Sequence, residues 1–148
     1  MRISGVFVFV ALAASAATSE AQETRRYIDP SSVADTTGLP FSGAVLVGNT
    51  LYLSGSIGLS EDGQVPATAE EEAQNVMARV RDKLEAAGMS MDDLVSVQVF
   101  CSDVVHYDVF NRIYRTFFTG EFPARAFLGS GTLLFGARFE VQGIAVKR

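Results

Sequence analysis

The chain has 148 residues, one cysteine, one histidine and a formal net charge of −5 at neutral pH. That length predicts one domain, and the lone Cys101 excludes an intrachain disulfide. The acidic balance argues against a nucleic-acid partner but leaves room for a small anion held by one local arginine. Residues 1–21 read as a secretory signal peptide: Arg2 gives a charged start, residues 5–14 are apolar and uncharged, and Ser19-Glu20-Ala21 offers small residues at a cleavage point. The run is short for a bilayer span; the alternative is an uncleaved anchor. Cleavage after Ala21 removes Arg2 and Glu20, one charge of each sign. Residues 22–148 are then expected as a single exported domain, periplasmic and off the membrane. Without disulfides such a domain rests on its core, a metal or oligomerisation. Cys101 and His106 alone cannot complete a zinc site.

Residues 22–40 are polar and turn-rich, and are expected to run over the surface with at most a short edge strand. Residues 45–53 hold two apolar runs flanking Gly48-Asn49, a two-residue hairpin signal. Ser54-Gly55-Ser56-Ile57-Gly58 ends the second strand, with glycines that permit close backbone approach. Thr68 followed by Glu71 predicts a capped helix start. Ala73, Val76, Met77, Val80, Leu84 and Ala87 form one apolar stripe, and Gly88 ends the helix. Arg79, Arg81, Asp82 and Lys83 are expected on the solvated face.

Asp92 and Asp93 read as loop residues before a strand over residues 94–101, in which Cys101 is a buried, inert thiol. A second helix is expected over residues 106–118, with an aromatic face from Phe110, Tyr114, Phe117 and Phe118. The last strands cover residues 124–131 and 137–146. The order strand, strand, helix, strand, helix, strand, strand predicts parallel right-handed crossovers through the two helices. One sheet with both helices packed on one face leaves the other face uncovered. The uncovered face, carrying apolar residues, predicts self-association. Among cofactor and metal motifs, no P-loop, dinucleotide glycine motif or HExxH is present.

Two residues stand out as misplaced charges. Arg125 sits in Phe122-Pro123-Ala124-Arg125-Ala126-Phe127, heading into an apolar strand. Glu140 sits inside the last strand, on one face with Gln142, Ile144 and Val146. A carboxylate there needs a cation or hydrogen-bond donors, and Arg125 is the nearest candidate. The two form either a structural ion pair or a small anion site.

From Pro40 to Arg148 the chain resembles the Rid, or YjgF-type, family of reactive enamine/imine deaminases. The resemblance is carried by Val47-Gly48-Asn49 with Ser54-Gly55, Glu85-Ala86-Ala87-Gly88, Asp92-Asp93-Leu94-Val95, Phe117-Phe118, Phe122-Pro123-Ala124-Arg125 and Phe139-Glu140-Val141 through Ile144-Ala145-Val146. It implies a chorismate-mutase-like α+β fold, a mixed β-sheet with two helices packed on one face, and a homotrimer with ligand sites between subunits. It also implies hydrolysis of small 2-imino acids without metal or organic cofactor. Arg125 would hold the substrate carboxylate, Glu140 would position the water, and Ser54 and Gly55 would line the pocket with Phe41 and Phe127. Phe41 stands where such deaminases usually carry Tyr, and Phe127 where many carry a Cys or Thr-type residue. A non-catalytic trimer that binds a small carboxylate is the alternative these two residues favour.

Overall fold

A computed structural model describes residues 24–29 and 39–148. The stretch read as a signal peptide lies outside the described residues, as do residues 30–38. Among the described residues no helix is long and apolar enough to cross a membrane. The elements are β1 (Arg25–Ile28), β2 (Ala44–Val47), β3 (Thr50–Ile57), α1 (Ala69–Ala86), β4 (Leu94–Cys101), α2 (Tyr107–Arg115), β5 (Ala124–Gly129) and β6 (Phe139–Val146). The second helix is thus shorter than its aromatic spacing suggested: it ends at Arg115, with Thr116 as its C-cap, and His106 belongs to a separate 3₁₀ turn over residues 104–106.

The strands form one sheet in the order β1-β2-β3-β6-β4-β5. β6 is inserted antiparallel between β3 and β4, so both helical crossovers join parallel strands. The β2–β3 hairpin turns at Gly48-Asn49, where Gly48 takes a φ of 56° that suits glycine. Between β3 and β6 the register slips: Leu53 faces Gly143 but Ser56 faces Val141. Ser54-Gly55 is therefore a bulge of two residues opposite one, inside a strand that continues to Ile57.

α1 begins where Thr68 Oγ1 accepts from the Glu71 backbone N–H at 3.1 Å and stops at Gly88, whose φ is 74°. Its stripe of Ala73, Val76, Met77, Val80 and Leu84 is buried against the sheet. From the sheet come Leu51, Val97, Val99, Phe139 and Val141, and from α2 Phe110 and Tyr114. Each fully buried side chain of this size contributes roughly 1.5–3 kcal/mol.

Two charged residues of α1 belong to this buried face. Glu72 is fully buried, and its Oε1 accepts from the backbone N–H groups of Arg138 and Phe139 at 2.6 and 3.0 Å. Its Oε2 pairs with Arg138 Nη1 at 2.7 Å. The pair pins the start of β6 to α1, immediately before Glu140. Lys83, expected in solvent, is only 4% exposed. Among the described residues no helix covers the opposite face of the sheet, and it presents Tyr27, Tyr52, Ile144, Val146 and Leu128 to solvent.

Candidate functional site

Strand alternation divides the candidate residues between the two faces of the sheet. Arg125 lies beside buried Val97 in the β4–β5 register, and Val97 in turn faces Gly143 of β6. Its side chain is directed to the helix layer. There Arg125 Nη2 donates to Asn111 Oδ1 at 2.7 Å, and the guanidinium stacks 4.6 Å from the Tyr114 ring. Tyr107 and Phe127 complete an aromatic surround at 6.0 and 5.7 Å. Among the described residues no carboxylate pairs with Arg125.

The cleft beside Arg125 holds about 270 Å³ and is lined by Asn111, Tyr114, Arg115, Phe122, Pro123 and Arg125. Tyr114 Oη is buried at this place and has no hydrogen-bond partner among the described residues. Burial pushes that phenol up to about 12, against the opposing pull of the Arg125 charge. Phe127 packs edge-on against Tyr107 at 5.0 Å and Phe110 at 5.6 Å, which fixes it as a wall of the arginine side.

Glu140 lies on the other face. It is in register with Ile57 of β3 and Phe100 of β4. Its carboxylate rests against the bulge: a Cβ built on Gly55 would stand 1.9 Å from Glu140 Oε1. Only glycine leaves room for the carboxylate there. The bulge is held in turn by the segment that leads into β2. Ser54 Oγ donates to the Ser42 carbonyl at 2.6 Å, and the Ser54 N–H donates to the Gly43 carbonyl at 3.1 Å. Phe41, about half exposed, immediately precedes Ser42 in the chain.

Ser54, Gly55 and Glu140 thus form one group, and Arg125 with Phe127 forms another; Phe41 is tied to the first only through the chain, one residue before Ser42. The expectation that Arg125 neutralises Glu140 is not met within one chain. The sheet lies between them, and Arg125 is satisfied by an amide and aromatic rings instead. The residues missed from sequence are Asn111, Tyr107 and Tyr114 around the arginine, and Lys83 behind the bulge. The spacing of Tyr107, Asn111 and Tyr114 along one face of α2 was an available signal.

The remaining suspects are structural. Cys101 is buried, its Sγ lies 3.0 Å from the Asp103 carbonyl, and burial raises its thiol. Asp93 accepts from the Ser90 N–H at 2.7 Å. Asp92 accepts from the Thr119 hydroxyl and N–H, and those hydrogen bonds hold its carboxyl below the usual range. His106 borders α2 and meets Phe139 edge-on at 5.9 Å.

Residues 33–147 match the family model described as Endoribonuclease L-PSP. The chain belongs to this family. Its Rid and YjgF-type relatives share both sequence and fold. A Mus musculus protein named 2-iminobutanoate/2-iminopropanoate deaminase is 38% identical over 110 residues, 73% of this chain and 82% of the relative. The Homo sapiens protein of the same name is 36% identical over 110 residues, 73% and 80% of the two chains. Among solved structures, the E. coli YjgF gene product superposes with a TM-score of 0.76 at 31% identity, over 83% of this chain and 99% of that one. E. coli TdcF with bound serine superposes with a TM-score of 0.76 at 25% identity, over 83% and 99%.

Proposed function

We propose that this protein hydrolyses small 2-imino acids to 2-oxo acids and ammonia, in sites shared between the subunits of a homotrimer. The observation that carries the reading is the division of the candidate residues. A guanidinium that pairs with no carboxylate among the described residues stands on one face, and a carboxylate seated on a glycine bulge stands on the other. The relatives named as 2-iminobutanoate/2-iminopropanoate deaminases supply the reaction class. The apolar, helix-free face, with Tyr27, Tyr52, Ile144 and Val146 exposed, supports assembly through the sheets. Assembly would bring Arg125 of one subunit to Glu140 of the next.

In this scheme Arg125 takes the substrate carboxylate through two parallel N–H···O bonds, with Asn111 and the aromatic rings fixing the plane of the guanidinium. Glu140 accepts a proton from water as its oxygen attacks the imine carbon. The proton then passes to the nitrogen of the tetrahedral adduct, giving a carbinolamine; Glu140 next carries the adduct's hydroxyl proton to the same nitrogen, so that the C=O forms as the C–N bond breaks and ammonia leaves. A positioned acid/base group gives roughly 10²–10⁴-fold, a modest factor that suits an imine already prone to hydrolysis. The family description names a ribonuclease, but a net charge of −5 gives poor support for a phosphate backbone.

The export reading of residues 1–21 is part of the proposal and places the reaction in the periplasm. Fractionation of cells making the tagged full chain tests it: recovery from the cytoplasm at full length contradicts export. The activity test generates imino acids with an amino-acid oxidase and traps them with semicarbazide. The wild-type protein is expected to lower semicarbazone formation, and folded Arg125→Ala and Glu140→Gln variants are not.

A second reading is a trimer that binds a small carboxylate without turnover. Phe41 and Phe127 favour it because neither brings a hydroxyl or thiol to the site. It predicts Arg125-dependent binding with no effect on the trap.

A further inference from the structure

Behind the Ser54-Gly55 bulge lies a buried cation that the hydrolytic scheme does not use. Lys83 reaches from α1 to the sheet, where its Nζ donates to Ser56 Oγ at 2.8 Å and to the Ser54 carbonyl at 3.3 Å. Ser56 is itself only 5% exposed. Among the described residues Lys83 has no ion-pair partner. The charged groups that act on it are Arg79 of α1 and Glu140 of β6, while β3 presents only the neutral Ser54 and Ser56.

An ammonium in this position is costly to desolvate, and an apolar side chain would fill the space without that cost. What the charge adds is directional. It grips the strand on both sides of Gly55, at the Ser54 carbonyl and the Ser56 hydroxyl, and the Glu140 carboxylate is packed against Gly55. It also places a positive charge behind that carboxylate. We propose that Lys83 is a positioning residue for Glu140: its ammonium clamps the bulge from the helix side and holds the carboxylate aimed on the other. This rests on the imine-hydrolysis reading for its kinetic consequence, but not for the coupling itself.

Burial, and then the Arg79 charge, lower the Lys83 ammonium to about 8, with Glu140 pulling the other way. The clamp therefore loses its charge in the mildly alkaline range. The loss predicts an alkaline decline in kcat that belongs to a residue with no contact to substrate.

The test uses the full chain, its Lys83→Met and Lys83→Arg variants, and two readouts. In the first, the Lys83 ¹³Cε and Glu140 ¹³Cδ resonances are followed between about pH 6 and about pH 10. The Glu140 signal is expected to move at the Lys83 midpoint in wild type, and not to move there in Lys83→Met. A Glu140 signal that ignores the Lys83 titration overturns the proposal, whether or not the protein turns over an imine. In the second, kcat and KM are measured across the same range. Lys83→Met is expected to lose roughly ten- to hundredfold in kcat, with KM little changed and the alkaline decline gone. Lys83→Arg is expected to recover part of kcat and to carry the decline to higher pH. Wild-type kcat with an unaltered alkaline decline in folded Lys83→Met overturns it. Should Lys83→Met not fold, the Lys83→Arg profile decides: a decline left at the wild-type midpoint overturns the proposal. Absence of turnover in wild type sinks the hydrolysis reading alone, and the resonance coupling then decides the role of Lys83.

Discussion

Glu72 and Lys83 are both charged, both on α1 and both buried, yet the protein treats them in opposite ways. Glu72 receives two backbone N–H groups and the Arg138 guanidinium, so its charge is balanced and its hydrogen bonds are filled. Lys83 receives one carbonyl and one hydroxyl and no counter-ion in contact. The first arrangement is what a structural ion pair needs in order to offset desolvation. The second leaves a charge whose cost is not offset locally, next to the carboxylate proposed to act on water. Titratable groups perturbed by burial in this way cluster at functional sites.

The sharpest way to break the comparison is to remove Glu72. Glu72→Ala strands Arg138 and two backbone donors, and is expected to cost about 3–5 kcal/mol of stability. Denaturant unfolding checks it; a loss below about 1 kcal/mol would show the pair to be ornamental. Gly55→Ala addresses the other region. A methyl group 1.9 Å from Glu140 Oε1 must displace the carboxylate. The expected result is roughly a hundredfold loss in kcat with the fold retained, measured by the semicarbazide trap alongside circular dichroism.

These two predictions come from residues that the sequence exposed unequally. The Gly48-Asn49 hairpin, the Thr68 cap and the α1 stripe were legible because each is a local signal: a turn that needs glycine, a hydroxyl three residues from an amide, a spacing of three and four. Gly55 was legible as a place of close approach, although what approaches it was not. Glu72 and Lys83 were in principle countable, since Glu72 is four residues before Val76 and Lys83 seven after it, on the buried stripe. Their charge argued for solvent, and for Lys83 that argument prevailed over geometry. The relation of Arg125 to Glu140 was not legible at all. β5 and β6 do not pair with each other but both pair with β4. The faces of the two side chains therefore depend on two registers and on which face the helices cover, none of which is encoded near either residue.

Lys83→Met sharpens the contrast with Glu72→Ala because the sign should reverse. Replacing an uncompensated buried ammonium by an apolar chain of similar length is expected to leave stability equal or raise it by about 1–3 kcal/mol at neutral pH. The pH dependence follows from the direction of the shift. The folded-state value of about 8 lies below the ordinary lysine value of 10.5. Between those two values the unfolded chain binds more protons than the folded one, so wild-type stability rises with pH across that window. Below it the desolvation cost is fully present. The variant should lack the rise, which thermal unfolding at a series of pH values would show.

The smallest effect is expected at Tyr114. Its buried hydroxyl has no partner among the described residues, so Tyr114→Phe should stabilise by about 1 kcal/mol and leave the rings around Arg125 in place. A destabilised variant would mean that the hydroxyl has a partner in the assembled protein.

The central claim is that one site takes its arginine and its glutamate from two different chains. It is tested most directly by mixing Arg125→Ala and Glu140→Gln subunits, each inactive alone, under conditions that exchange protomers. In random trimers about one site in four receives both native residues, so the account predicts recovery of roughly a quarter of wild-type activity. No recovery, with mixed trimers verified by native mass spectrometry, would contradict it and place Arg125 and Glu140 in sites that do not cross the subunit boundary.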